Sequence, residues 1–230
     1  MAAGKGRSIR WRIIMKRWMF LCVGLALAFP SVSFAKKPLV VNVSIFGAVI
    51  GPSKWTGAPW DGTGKRNPKA FAATIKTVKS DGTPVPAVIK QVEKLAPKGA
   101  AAPDVFGYVT TYGPTTRALA DSAATRFALA TKRKAKRNTY TPRFDVTYDA
   151  WPVYAHTQFR IVLWDGDRSK NESIGVVNIS QSDIADALDA GKPIWVNVYR
   201  RGQGQILYVK IRASKAAPNA VAKVEGEKYH

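Results

Sequence analysis

Two carboxylates stand one residue apart in Leu163-Trp164-Asp165-Gly166-Asp167, and a third follows at Glu172. Ionised carboxylates only accept hydrogen bonds, so several in one loop offer a hard cation such as Ca²⁺ part of the roughly six to eight oxygens it takes. The apolar run Phe159, Ile161, Val162, Leu163 reads as a strand that feeds the loop, and Ile174-Gly175 opens the next. The loop is thus half of a candidate calcium site. An EF-hand is excluded, because counting from Asp165 its sixth position should be Gly and its twelfth Glu, and they are Lys170 and Val176. The competing reading is a set of solvated loop acids in a basic chain.

An enzyme has little to work with. Beyond the first 35 residues the chain offers only His156 and the terminal His230, with no nucleophilic Cys and no Gly-rich phosphate loop. His156 reads as structural, and a hydrolytic triad built on it is a distant third choice.

The chain has 230 residues and opens like an export signal. Arg7, Arg10, Arg12, Lys16 and Arg17 make a basic stretch, Met19 to Phe29 is apolar, and Ser33-Phe34-Ala35 has small residues at the two positions a signal peptidase reads. Cleavage is expected after Ala35. The apolar run is shorter than the ~20 residues a spanning helix needs. Cys22, the only cysteine, lies within it and follows Leu21, where a lipoprotein signal would place a small residue. The expected mature chain therefore has no thiol or disulfide and relies on an apolar core. Its location is exported, periplasmic or extracellular.

The leader holds six of the 36 basic residues and none of the 15 acidic ones, which leaves the mature chain at +15. Such a charge favours anionic partners, here an anionic phospholipid or lipopolysaccharide surface, and export makes nucleic acid unlikely.

From Pro38 the chain alternates, with Val41, Val43 and Ile45 on one face of a strand that runs to Ile50. A loop rich in Gly, Pro and Trp spans Gly51 to Pro68, strand character returns at Phe71 to Val78, and Ser80-Asp81-Gly82 signals a turn. Residues 83 to 124 read as a partly helical insertion. Val88, Ile89, Val92 and Leu95 have helical spacing, and Thr115 to Ala124 suits a second short helix. Phe127 to Arg137 alternates into a basic strand. Strands follow at Phe144 to Tyr148, Thr157 to Trp164, Ile174 to Ile179, Ile194 to Tyr199 and Gln205 to Ile211, with a helix at Ser182 to Leu188 closed by Gly191. The tail from 213 to 230 reads as disordered. About eight strands with turns between them predict an all-β antiparallel sandwich in a domain covering residues 36 to 212.

The strand from Leu39 to Ile50, the loop Asp61 to Pro68, the segment Lys132 to Phe144, the loop Asp165 to Gly175 and the last strand pair resemble a C2 domain, in an exported, bacterial-type form. That family is an eight-stranded sandwich whose calcium loops gather at one end. Its first loop places an Asp six residues before an Asp-Pro pair, and Asp61 and Asn67-Pro68 keep that spacing. The resemblance implies Ca²⁺ ligands at Asp61, Asn67, Asp165, Asp167 and Glu172. Asn67 replaces an acid and the acidic loop is one residue short, so the site is expected to be weak. Asp61, in a separate loop, is the fact that raises metal binding above solvated acids.

The run Lys132, Arg133, Lys134, Lys136, Arg137 falls where the resemblance implies the strand some members use to hold acidic lipid heads. An equally good reading is a charged edge that blocks sheet pairing. Trp55 and Trp60 suit either insertion at a bilayer interface or a cap on the core, whereas Trp164 and Trp195 read as core. The combined expectation is a non-enzymatic module that binds Ca²⁺ and an anionic membrane, or another anionic partner. The alternative is a calcium-independent module that docks another envelope protein.

Overall fold

The computed structural model describes residues 39–79, 83–112, 126–153, 158–167, 170–199, 202–217 and 223–224, all within the compact unit Lys37–His230. The leader with Cys22, the turn at 80–82, the helix expected at 115–124, His156 and His230 lie outside the described residues. No helix among the described residues is long and apolar enough to cross a membrane.

Twelve strands and three helices follow in order: β1 (Leu39–Ile50), β2 (Asp61–Gly62), α1 (Pro68–Lys79), α2 (Val85–Leu95), β3 (Ala100–Ala101), β4 (Val105–Tyr112), β5 (Phe127–Ala130), β6 (Arg143–Val153), β7 (Gln158–Asp165), β8 (Glu172–Ile179), α3 (Gln181–Ala190), β9 (Ile194–Asn197), β10 (Gly202–Gly204), β11 (Ile206–Lys215) and β12 (Lys223–Val224). One sheet runs β12-β6-β1-β11-β9 and the other β10-β8-β7-β4-β5, with every pairing antiparallel; β2 and β3 form a separate pair. The eight strands of four residues or more form the expected sandwich, and β10 and β12 lengthen its edges.

Alternation explains the core. Val41, Val43 and Ile45 of β1 meet Ile161 and Leu163 of β7, Ile174 and Val177 of β8, and Val209 and Ile211 of β11 in one buried cluster. A bulge at Ile45/Gly47 shifts the alternation, so Ala48 and Ile50 turn inward and Val49 turns out. Val49 and Leu207 then seat a second cluster with Ile75 and Val78 of α1 and Val88 and Val92 of α2. The helical hairpin therefore covers part of the outer face of the first sheet. Helix α3 opens with a capping box between Ser180 and Asp183, closes at left-handed Gly191, and adds Ile184 and Ala187 to the main core.

Four expectations are corrected. Phe71 to Val78 is helix, not strand: Ala70, Thr74, Ile75 and Val78 are the buried positions, a helical spacing, and the hydroxyls of Thr74 and Thr77 donate to Ala70 and Ala73 carbonyls four residues back. Val105 to Tyr112, expected inside an insertion, is β4, flanked by β7 and β5 within its sheet. The cationic run does not continue β5. Its first three residues, Lys132–Lys134, form a 3₁₀ helix, and Lys136 exchanges both backbone hydrogen bonds with Val105 at 2.7 and 2.9 Å. Finally, β11 extends to Lys215 with Ala213 buried opposite Val43, so order continues past the expected start of the tail.

Gly107 marks the tightest approach within the second sheet, since a Cβ there would lie 2.0 Å from the Val162 carbonyl oxygen of β7. Gly107→Ala must push β4 off β7. The expected cost is about 1–3 kcal/mol, read as an earlier urea midpoint without loss of cooperativity. A midpoint equal to the parent's would show that β4 is not held this closely.

Candidate metal centre

Three chain segments converge where β7 ends. Asp165 is the last residue of β7, and Asp167 follows in the loop toward β8. Asp61 opens β2, whose pairing with β3 ties it to Ala101 and so to the entry of β4. That entry is clamped: Ala102 N donates to Asn138 Oδ1 at 2.8 Å, Asn138 N to Asp104 Oδ1 at 2.8 Å, and Thr139 N to the Pro103 carbonyl at 3.1 Å. Asn138 reaches this geometry with a φ of 47°, which Asn tolerates better than most residues. From the clamped segment Asp104 N donates to Asp165 Oδ1 at 2.7 Å, and Gly166 N donates to the Asp104 carbonyl at 2.8 Å.

The result is a carboxylate cluster. One oxygen from each of Asp61, Asp165 and Asp167 lies within 4.8 Å of the others. Asp165 is completely buried, and its Oδ2 has no hydrogen-bond partner among the described residues. A desolvated oxygen without a donor costs about 1–3 kcal/mol, and more if charged, so the cluster calls for a cation or a proton. Three acids with an unpaired buried oxygen fit Ca²⁺, which selects carboxylate and carbonyl oxygen.

The other expected ligands part company with these three. Glu172 faces Asp165 across the β7–β8 ladder but pairs with Lys54. That half-exposed ion pair is worth about 0–1 kcal/mol, so a cation that recruited Glu172 would lose little. Asn67 lines a different cleft, among Lys65, Arg66, Lys94 and Lys98. The residue that sequence reasoning missed is Asp104, whose amide holds Asp165 and whose charge acts on Asp61. Its signal was present, as an acid just after Pro103 at the start of an apolar run, but that run was hidden inside the supposed insertion.

Two neighbours complete the surroundings. Lys132 Nζ donates to the Asp167 carbonyl at 3.0 Å, which brings the cationic run against the acidic loop. Trp60 is buried with its Nε1 donating to the Gly51 carbonyl at 3.0 Å and so caps the core, whereas Trp55 is 74% exposed beside it. Trp164 is half-buried against the main core, and Trp195 packs on the helical cluster under Lys210, whose Nζ lies 5.5 Å from the ring centroid.

No protein-family model matches the chain, and no curated protein does. Solved structures do. The chain is similar to the calcium-bound C2A and C2B domains of extended synaptotagmin 2, at 14% identity and a TM-score of 0.38, over 78% of this chain and 47% of that one. It is similar to the C2A domain of a plant extended synaptotagmin 1, at 12% identity and a TM-score of 0.37, over 79% of this chain and 99% of that one. It also resembles a human GIVD cytosolic phospholipase A2, solved with a fluorophosphonate inhibitor and terbium chloride, at 10% identity and a TM-score of 0.37, over 18% of that chain. The first two similar structures are C2 domains. The chain spans about half the length of the first.

Proton affinity in the cluster follows from its crowding. Asp61 is pushed from 3.8 up to about 7, first by burial, then by its hydrogen bond with Asp167 and by the charges of Asp165, Asp167 and Asp104. Burial also raises Asp165 to about 6, and here the Asp104 amide works in the opposite direction, as does Lys54, while Asp167 and Glu172 add to the rise. Because these folded-state values lie above the unfolded ones, the protonated cluster favours the fold at low pH, and that stability is lost as pH rises through the folded values. In a chelating buffer the melting temperature should fall between about pH 4 and pH 7. Asp61→Asn should flatten that fall, and a melting temperature that rises with pH over this window would contradict the assignment.

Proposed function

We propose that this chain is an exported, non-enzymatic module that binds Ca²⁺ through Asp61, Asp165 and Asp167 and then engages an anionic membrane. The observation that carries the reading is the buried Asp165 carboxylate, with one oxygen held by the Asp104 amide and the other unpartnered among acids. A bound Ca²⁺ would neutralise most of the cluster's charge, and Glu172, across the β7–β8 ladder from Asp165, would have to leave Lys54 to join it. The run Lys132, Arg133, Lys134, Lys136, Arg137 begins against the same loop, where Lys132 donates to the Asp167 carbonyl. Cations near an anionic leaflet contribute about 1 kcal/mol each within a Debye length, so metal and run act toward one surface. The basic leader supports export, and the protein recovered from its compartment should begin at Lys36.

Calcium should raise the melting temperature at pH 7.5, because it binds only the folded state, and Asp165→Asn with Asp167→Asn should abolish the rise. The parent should sediment with acidic vesicles in calcium at low salt and be released at about 1 M salt, where the Debye length shrinks to ~3 Å. Gln at all five cationic positions should reproduce the high-salt result at low salt. No thermal shift in millimolar calcium would remove the metal and leave a calcium-independent docking module as the better reading.

A further inference from the structure

A second charged site lies on the helical hairpin, away from the cluster's own side chains. Lys65, Arg66, Lys94 and Lys98 line a cleft of about 580 Å³ together with Asn67, Leu95, Ala96 and Pro97, and no acid lines it among the described residues. The backbone assembles it from two directions. The β2–β3 pair sets Gly62 against Ala100, and left-handed glycines at 62 and 99 turn the chain on either side. Gly64 permits close approach, because a Cβ there would lie 2.9 Å from that of Ala100. Lys65 and Arg66 therefore follow one strand of the pair, and Lys98 precedes the other. Lys94 joins them from the last turn of α2.

Lys94 alone would need no further account, since a cation at a helix C-terminus is favourable. The other three cations are off the helix, and an anion bound among them would relieve their mutual repulsion. Arg66 is also pre-positioned: its Nε donates to the Thr56 carbonyl at 2.6 Å, which leaves the two terminal nitrogens of the fork for a ligand. A guanidinium so held matches two oxygens of a phosphate, and flanking ammonium groups supply point charge for neighbouring phosphates. Asn67 lines the cleft beside them.

We infer that this cleft binds a multiply phosphorylated ligand, carried by an inositol-type lipid headgroup or free in solution, without calcium. The site does not depend on the acid cluster, so it can be tested with a chelator present. Calorimetric titration of the protein with inositol trisphosphate, and flotation with vesicles bearing the corresponding bisphosphate lipid, read the two sources. Lys65→Gln with Arg66→Gln and Lys98→Gln removes three charged contacts and should weaken both probes by about tenfold or more. Arg66→Lys, which keeps the charge and loses the fork, should weaken them severalfold. Gln at positions 132, 133, 134, 136 and 137 removes more charge elsewhere and should change trisphosphate affinity far less.

Tight trisphosphate binding points to a free ligand, and vesicle binding at least about tenfold tighter than trisphosphate points to the lipid; either supports the cleft if the triple variant loses it. Weakening in proportion to charge removed, wherever it is removed, would reduce the effect to net attraction and overturn the site. Failure of both phosphate probes, or binding of a sulfated glycan in their place, would overturn it equally.

Discussion

The hydrogen bond from Asp104 N to Asp165 Oδ1 joins the start of one strand to the end of its neighbour and decides the chemistry of the loop end. A fully buried carboxylate carries a desolvation penalty of several kcal/mol. One backbone bond to a charged acceptor returns about 1.5–3 kcal/mol, so it cannot compensate both oxygens. The second oxygen of Asp165 must find a proton or a cation. Asp61 and Asp167, brought within 4.8 Å, make the proton expensive to lose and the cation attractive. The clamp of residues 102–104 against 138–139 is what keeps that balance in place.

Much of the sandwich was legible because its strands obey a period of two. β1, β7 and β8 each show alternating or continuous apolar character, and their carboxylate-bearing connection stood out for the same reason. Two elements misled in opposite ways. Phe71 to Val78 carries β-branched Thr, Ile and Val, yet its buried positions recur at helical spacing and Pro68 opens the turn. Val105 to Tyr112 follows a run of small residues and prolines and so looked like part of an insertion, although Gly107 is what lets it lie close to β7.

The site was half legible for a related reason. Asp165 and Asp167 stood out by type and spacing, Asp61 entered through the C2 resemblance, and Asp104 was lost with its strand. The same resemblance also drew Asn67 toward the acids, but it lines a basic cleft between the β2–β3 pair and the end of α2 instead. Likewise the cationic run looked like a strand because it follows the apolar Phe127 to Ala130 with no Gly or Pro to interrupt it. Its backbone bonds to Val105 turn it back toward the acidic loop, which makes opposite charges neighbours at one end of the molecule.

The most direct test is to count protons as calcium binds. Titration calorimetry at about pH 6.5, in two buffers of different ionisation heat, gives both the binding stoichiometry and the protons released. One Ca²⁺ per chain with net proton release, both lost on replacing Asp165 and Asp167 by Asn, is the predicted result, since Asp61 holds a proton up to about pH 7 in the empty cluster. Binding heat that is absent at millimolar calcium, or that persists unchanged in the double variant, would contradict a metal centre built on Asp165.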